Sequence, residues 1–130
     1  MFEEKLLVFV TATCFLPWGR LKDPYFYHID TCLAVLAPDA AIYFPGAFDN
    51  EGVSIIKKFF PRLVEATEED ARGRLACNSF SPDGENVVLH AGSKETNKRL
   101  RAAGFNPIEV DVSEFLKGGG SVCCMKMFTW

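Results

Sequence analysis

Three short segments carry the residue types that chemistry needs. The first is Tyr27-His28-Ile29-Asp30-Thr31-Cys32. Histidine exchanges protons near neutral pH, so His28 is a candidate general acid or base. Successive side chains of a strand alternate, so in a strand over residues 28–36 His28 and Asp30 share one face while Ile29 and Leu33 take the other. An acid-base group and a carboxylate then lie side by side. Taken alone, a His-x-Asp pair is more often a satisfied hydrogen-bonding pair than a catalytic one.

The second segment is Ala76-Cys77-Asn78, and the third runs from Glu114 through Gly118-Gly119-Gly120-Ser121 to Val122-Cys123-Cys124-Met125. Triple glycine permits close backbone approach and a sharp turn, after which residues 122–128 are expected to form a strand. On that strand Cys123, Met125 and Met127 share a face suited to a core. Cys124 shares the other with Lys126, Val122 and Phe128, which favours Cys124 as the exposed thiol and leaves Cys123 as the alternative nucleophile. Cys14, Cys32 and Cys77 read as small buried hydrophobes. The adjacent pair Cys123-Cys124 is able to close only a strained vicinal disulfide. His90, ending an apolar strand, reads as structural or exposed.

The elements that position these residues alternate between strands and helices. Residues 6–10 form a continuous apolar run, expected as a buried strand, and residues 15–27 form a loop. A hairpin follows, with strands over 28–36 and 40–44 and a turn at 37–39. Asn50 is placed to cap a helix over 51–60 that carries Val53, Ile56 and Phe60 on one face, and Pro61 stops it. A strand over 62–66 leads to a helical turn at Thr67-Glu68-Glu69-Asp70, whose acids suit a helix N-terminus. Strands over 75–80 and 86–90 flank the turn Ser81-Pro82-Asp83-Gly84. A helix from Ser93 to Ala103 ends at Gly104, and a strand over 107–112 returns. The order is ββαβ twice over, a mixed α/β architecture whose units leave apolar faces for further copies to cover.

Bulk composition narrows the class. A chain of 130 residues with 48% hydrophobic content holds one domain with a real core. A net charge of -3 with scattered basic residues argues against nucleic acid as partner. Five cysteines without regular spacing suit a reducing cytoplasm better than a disulfide scaffold. Glu3 and Glu4 stand where a signal peptide carries positive charge, and no apolar run reaches the roughly 20 residues that span a bilayer, so no membrane association is expected.

As a set, these segments resemble the C-terminal portion of the amidinotransferase, arginine deiminase and dimethylarginine dimethylaminohydrolase superfamily. The similar stretches are Asp23-Pro24-Tyr25-Phe26-Tyr27-His28-Ile29-Asp30-Thr31-Cys32, Phe44-Pro45-Gly46-Ala47-Phe48-Asp49, Glu68-Glu69-Asp70-Ala71 with Ala76-Cys77-Asn78, and Ser113-Glu114-Phe115-Leu116-Lys117-Gly118-Gly119-Gly120-Ser121 before the cysteines. The resemblance implies a partial α/β propeller, the pentein fold, with residues 1–130 supplying about two of its five ββαβ modules. It implies His28 and Cys124 as catalytic residues, Asp30 as a guanidinium-binding carboxylate, and Asn78 as a residue that shapes the substrate site. Lys126 stands where the family usually has Thr or Ser, and Cys123 where a charged residue is common, so both thiols remain candidates.

The activity implied is hydrolysis of a guanidinium C–N bond, converting dimethylarginine to citrulline and dimethylamine. The Cys124 thiolate attacks the guanidinium carbon while Asp30 holds the nitrogens. His28 protonates the departing amine, then takes a proton from the water that cleaves the covalent thiouronium intermediate. No metal or cofactor is required. The partners implied are a small guanidino substrate and either the missing N-terminal modules or a second copy of the chain. Arginine deiminase, arginine dihydrolase or amidinotransferase activity is the alternative, and an inactive fragment that only binds a partner is another.

Overall fold

The computed structural model describes residues 21–127 and 129. The expected strand over residues 6–10, the start of the following loop, Cys14 and Phe128 lie outside the described residues. Strands β1 (Leu33–Ala37) and β2 (Ala40–Tyr43) form an antiparallel hairpin, with Leu33 opposite Tyr43 and Ala34 opposite Ile42. Helix α1 (Asn50–Phe59) crosses over to β3 (Arg62–Glu65), which pairs parallel with β2 from Ala40 opposite Arg62 to Tyr43 opposite Glu65. All four β2 residues are buried. Such a strand reads as unbroken Ala-Ala-Ile-Tyr because both of its faces are covered.

Helix α2 (Glu68–Arg74) follows, then β4 (Asn86–His90), helix α3 (Lys94–Ala102) and β5 (Asn106–Val110). Strands β4 and β5 are parallel, with Val87 opposite Pro107 and Leu89 opposite Glu109. Proline has no N–H to give to a ladder and is tolerated where that position needs none. Phe80 makes a single antiparallel bridge to Val88. The expected order of two strands, a helix and a strand therefore recurs, with the first strand of the second unit reduced to one bridge.

Caps fix where the helices begin. Asp49, not Asn50, caps α1: its Oδ1 accepts from Gly52 N at 2.7 Å. Thr67 caps α2 through Asp70 N at 3.2 Å. Ser93 makes no cap bond to α3, since its hydroxyl turns back to the carbonyl of His90 at 3.5 Å. The buried carboxylate of Asp70 serves instead. Its Oδ2 accepts from Thr96 N at 3.0 Å and from Thr96 Oγ1 at 2.6 Å, tying α2 to the start of α3. A carboxylate at a helix N-terminus answers both the unpaired N–H groups and the helix dipole.

The core is continuous across both units, from Phe26, Leu36, Ile42 and Phe48 through Ile56 and Phe60 to Val87, Leu89 and Leu100. His90 belongs to it, its Nδ1 accepting from Val112 N at 3.1 Å, so this histidine is structural. Among the described residues no helix is long and apolar enough to cross a membrane.

Three expected strands differ from what forms. Residues 29–31 make a 3-10 helix ahead of β1, because Thr31 Oγ1 and Thr31 N both donate to the carbonyl of His28, at 2.5 and 3.0 Å. This local bonding by a threonine hydroxyl competes with strand pairing. Residues 75–79 form turns instead of a strand. Leu75 takes the left-handed conformation that closes α2, and Ala76 N donates to the carbonyl of Asp70 at 3.1 Å. Finally, helices α4 (Ser113–Leu116) and α5 (Val122–Met125) flank the glycine run, so the strand over 122–128 is replaced by a single helical turn. Met125 and Met127 are exposed and not in the core.

Candidate active site

Asn78 is the point at which the three chemistry-bearing segments meet. It is fully buried, and every polar group of its side chain is engaged. Nδ2 donates to the carbonyl of Asp30 at 2.9 Å. Oδ1 accepts from Ser121 N at 3.1 Å and from Cys124 N at 3.4 Å, and the Asn78 carbonyl accepts from Cys123 N at 3.1 Å. One amide side chain thus clamps the turn that carries Asp30 and the turn that carries both thiols. An asparagine suits the task because it offers donor and acceptor in one plane, whereas aspartate has no N–H for the Asp30 carbonyl.

The strained backbone next door sets the aim of this clamp. Leu75 has φ +46°, a conformation that costs a leucine on the order of 1 kcal/mol or more. The turn it makes is secured by Asn78 N donating to the Leu75 carbonyl at 2.8 Å.

A second clasp holds the same two segments from the other end. Tyr27 Oη donates to the carbonyl of Gly119 at 2.6 Å. Gly119 has φ +84°, and a Cβ there would lie 2.9 Å from Tyr27 Oη, so position 119 requires glycine on both conformational and steric grounds. A Cβ on Gly120 would stand 3.3 Å from Cys124 Cβ. The glycine run is therefore a close-packed turn. Nothing about Tyr27 in the sequence marked this role beyond its place next to His28.

Residues 23–27 are anchored in turn to α2. Asp23 pairs with Arg72, which holds the Asp23 carboxyl below its ordinary range and also pairs with Glu68 at 3.0 Å. Tyr25 Oη donates to the Arg72 carbonyl. Phe26 is buried against Phe44, with ring centroids 5.5 Å apart. This anchorage fixes the backbone on which His28 stands exposed, its ring 4.7 Å from that of Tyr27.

With these clasps closed, the Cys124 Sγ lies 3.8 Å from Asp30 Oδ2. Asp30 Oδ1 is buried and accepts no hydrogen bond, and Asp30 has no ion pair among the described residues. The expected shared strand face of His28 and Asp30 does not exist, since His28 precedes a 3-10 helix that contains Asp30. The alternation that favoured Cys124 as the exposed thiol also fails, because residues 122–125 are helical; Cys124 is exposed nonetheless, and Cys123 is half-buried. Burial raises the Cys123 pKa against the opposing pull of Lys126, whose Nζ donates to Cys123 Sγ at 3.3 Å. Among the described residues, no three His, Cys, Asp or Glu side chains converge as a metal-binding group.

The N(G),N(G)-dimethylarginine dimethylaminohydrolase of Mycobacterium tuberculosis is 45% identical to this chain over 105 residues, 81% of this chain and 34% of that protein. The chain belongs to the pentein superfamily. Its similarity to other pentein proteins extends to the bifunctional arginine dihydrolase/ornithine cyclodeaminase AgrE of a Nostoc species, 34% identical over 109 residues, 83% of this chain and 15% of that protein. The crystal structure of the N-terminal domain of ArgZ bound to product, an arginine dihydrolase from the ornithine-ammonia cycle in cyanobacteria, matches with a TM-score of 0.73 at 33% identity. That match covers 80% of this chain and 38% of the ArgZ domain. No family model matches the sequence. This pentein chain thus spans about a third of the length of the mycobacterial relative.

Proposed function

We propose that this chain carries the catalytic half-site of a hydrolase that cleaves a guanidinium C–N bond, with Cys124 as nucleophile, Asp30 as the anchor of the cation and His28 as acid-base group. The observation that carries the reading is the carboxylate of Asp30, with one oxygen buried and unpartnered and the other beside an exposed thiol. A carboxylate with no ion pair among the described residues attracts a planar cation, whose N–H donors reach the oxygen beside the thiol. At an effective dielectric of about 20, a unit charge about 4 Å from Asp30 gains roughly 4 kcal/mol, enough to select cationic over neutral substrates.

In this mechanism the guanidinium packs against both Asp30 and Cys124, with its N–H groups on the carboxylate and its face toward the sulfur. Its positive charge favours the thiolate, and the sulfur attacks the central carbon. The amine leaves with a proton from His28, and His28 then accepts a proton from the water that resolves the thiouronium intermediate. Asn78 acts through backbone placement, holding Asp30 and Cys124 at their separation without reaching the substrate itself. Cys123 is the lesser nucleophile because burial keeps its thiol protonated.

The substrate proposed is a methylated arginine, giving citrulline and dimethylamine, a reading supported by 45% identity to the mycobacterial dimethylargininase. The likeness to the ArgZ domain favours a second reading, arginine itself as substrate with release of ammonia. In either, residues 1–130 are the C-terminal part of a five-module propeller, and the remaining modules or a second copy complete the substrate pocket. Quantifying dimethylamine, ammonia and citrulline from dimethylarginine and from arginine separates the two. Citrulline that forms equally well from the Cys124→Ser protein would remove the nucleophile assignment.

A further inference from the structure

Two thiols stand next to each other at the most exposed part of the site. Cys124 is open to solvent, so a small oxidant reaches its sulfur without any motion of the chain. Cys123 is half-buried, and its sulfur accepts a hydrogen bond from the Lys126 ammonium at 3.3 Å. That ammonium lies 4.8 Å from the Phe80 ring centroid, which holds it over Cys123. The arrangement places one accessible sulfur beside a second sulfur that is half-buried and within hydrogen-bonding reach of an ammonium. The hydrolase reading uses only one of them.

We propose that Cys123 and Cys124 form a peroxide-responsive thiol pair, in which a hydroperoxide oxidises Cys124 and Cys123 then closes a vicinal disulfide. In the first step the Cys124 sulfur attacks one peroxide oxygen, the O–O bond breaks, and Cys124 becomes a sulfenic acid while water or an alcohol departs. In the second, the Cys123 sulfur attacks the Cys124 sulfur, the S–O bond breaks, and the hydroxyl leaves as water with the proton from Cys123. Two thiols and one hydrogen peroxide give one disulfide and two waters.

The surrounding structure lets this happen and makes it reversible. Helix α5 is a single turn whose N-cap, Ser121, makes no side-chain cap bond. Its attachment is chiefly through Asn78, so closing the ring turns the peptide between the cysteines and gives up the bond from Cys124 N to Asn78. Adjacent Cα atoms lie about 3.8 Å apart, below the roughly 4.4–6.8 Å of ordinary disulfides, so the bond is strained and readily reduced. By contrast, Cys32 and Cys77 are fully buried within the core and out of an oxidant's reach.

The proposal shares Cys124 with the hydrolase reading but requires its accessibility and not turnover, so a mass measurement tests it apart from activity. The folded chain is treated with a few equivalents of hydrogen peroxide, with and without dimedone, and digested with trypsin without reduction. The expected result is a peptide of residues 118–126 about 2 Da lighter, restored by dithiothreitol, with little dimedone adduct. Oxygen on Met125 is told apart because dithiothreitol does not remove it. The Cys123→Ser protein is expected to accumulate the dimedone adduct at Cys124 several-fold above wild type, and Cys124→Ser to show neither product. Amide exchange at residues 121–124 is expected to rise on oxidation of wild type and not of Cys123→Ser. Equal dimedone trapping in wild type and Cys123→Ser, absence of any oxidation at Cys124, or a disulfide mapping to other cysteines would each overturn the proposal.

Discussion

Two pairs of cysteines in this chain share a residue type and little else. Cys32 and Cys77 are fully buried, one ahead of β1 and one in the turn after α2. Loss of solvent pushes Cys32 up to about 12, with the Asp30 carboxylate adding to it, and raises Cys77 well above an ordinary thiol. These are packing groups, held as neutral thiols. Cys123 and Cys124 sit on a one-turn helix that hangs from Asn78, and Cys124 faces solvent beside Asp30. What separates the pairs is the backbone that presents them. A thiol becomes usable where the chain is held firmly from behind and left open in front.

The sharpest break of that contrast is removal of the presented thiol. Cys124→Ser is expected to lower guanidinium hydrolysis by at least about 10³-fold with melting temperature little changed. Cys77→Ser should do the reverse, costing about 1–3 kcal/mol in denaturant unfolding by burying a hydroxyl. If Cys77→Ser abolished turnover while leaving stability intact, the division between the pairs would fail.

The buried pair also predicts an alkaline limit. A thiol ordinarily ionises near 9.0, whereas Cys32 keeps its proton until about 12. Between those values the unfolded chain binds fewer protons than the folded one, so stability falls as pH rises through the window and is independent of this group below it. The loss amounts to about 1.4 kcal/mol per pH unit. Urea titrations from pH 8 to 11 should show the decline, and Cys32→Ala should reduce its slope, with the share of Cys77 remaining.

Asn78→Ala tests the support behind the presented pair. It strands Ser121 N and the Asp30 carbonyl, and about 2–4 kcal/mol of lost stability is expected, with activity falling in parallel. A smaller effect belongs to the outer clasp. Gly119→Ala forces a Cβ against Tyr27 Oη and should cost about 1–2 kcal/mol, and Tyr27→Phe about 1 kcal/mol, both read in denaturant midpoints.

Much of the scaffold was legible because its signals were local. The β1–β2 hairpin, α1 stopped by Pro61, β3, α3 and the left-handed Gly104 all follow from periodicity and punctuation. The errors fell at the site, where short range patterns misled. Ile29 and Leu33 alternate as strand residues do, yet the Thr31 hydroxyl bends residues 29–31 into a 3-10 turn. Residues 75–79 turn because Ala76 N returns to the Asp70 carbonyl as α2 closes, whereas the backbone of Ser121, Cys123 and Cys124 is claimed by Asn78 from more than 40 residues away, which no local window of sequence shows. Motif order singles out His28, Asp30, Asn78 and Cys124 as candidates, and Asp30 meets Cys124 through a 3-10 turn and a one-turn helix instead of through strand parity.

The central claim is that Asp30 draws a flat cation to Cys124, and the most direct test compares two alkylating reagents of similar size. One is a cationic haloacetamidine and the other a neutral haloacetamide, with the labelled cysteine mapped by mass spectrometry. The cationic reagent is expected to modify Cys124 at least about tenfold faster, and Asp30→Asn to erase most of that preference. Labelling centred on Cys123, Cys32 or Cys77, or a preference that survives Asp30→Asn, would contradict the account.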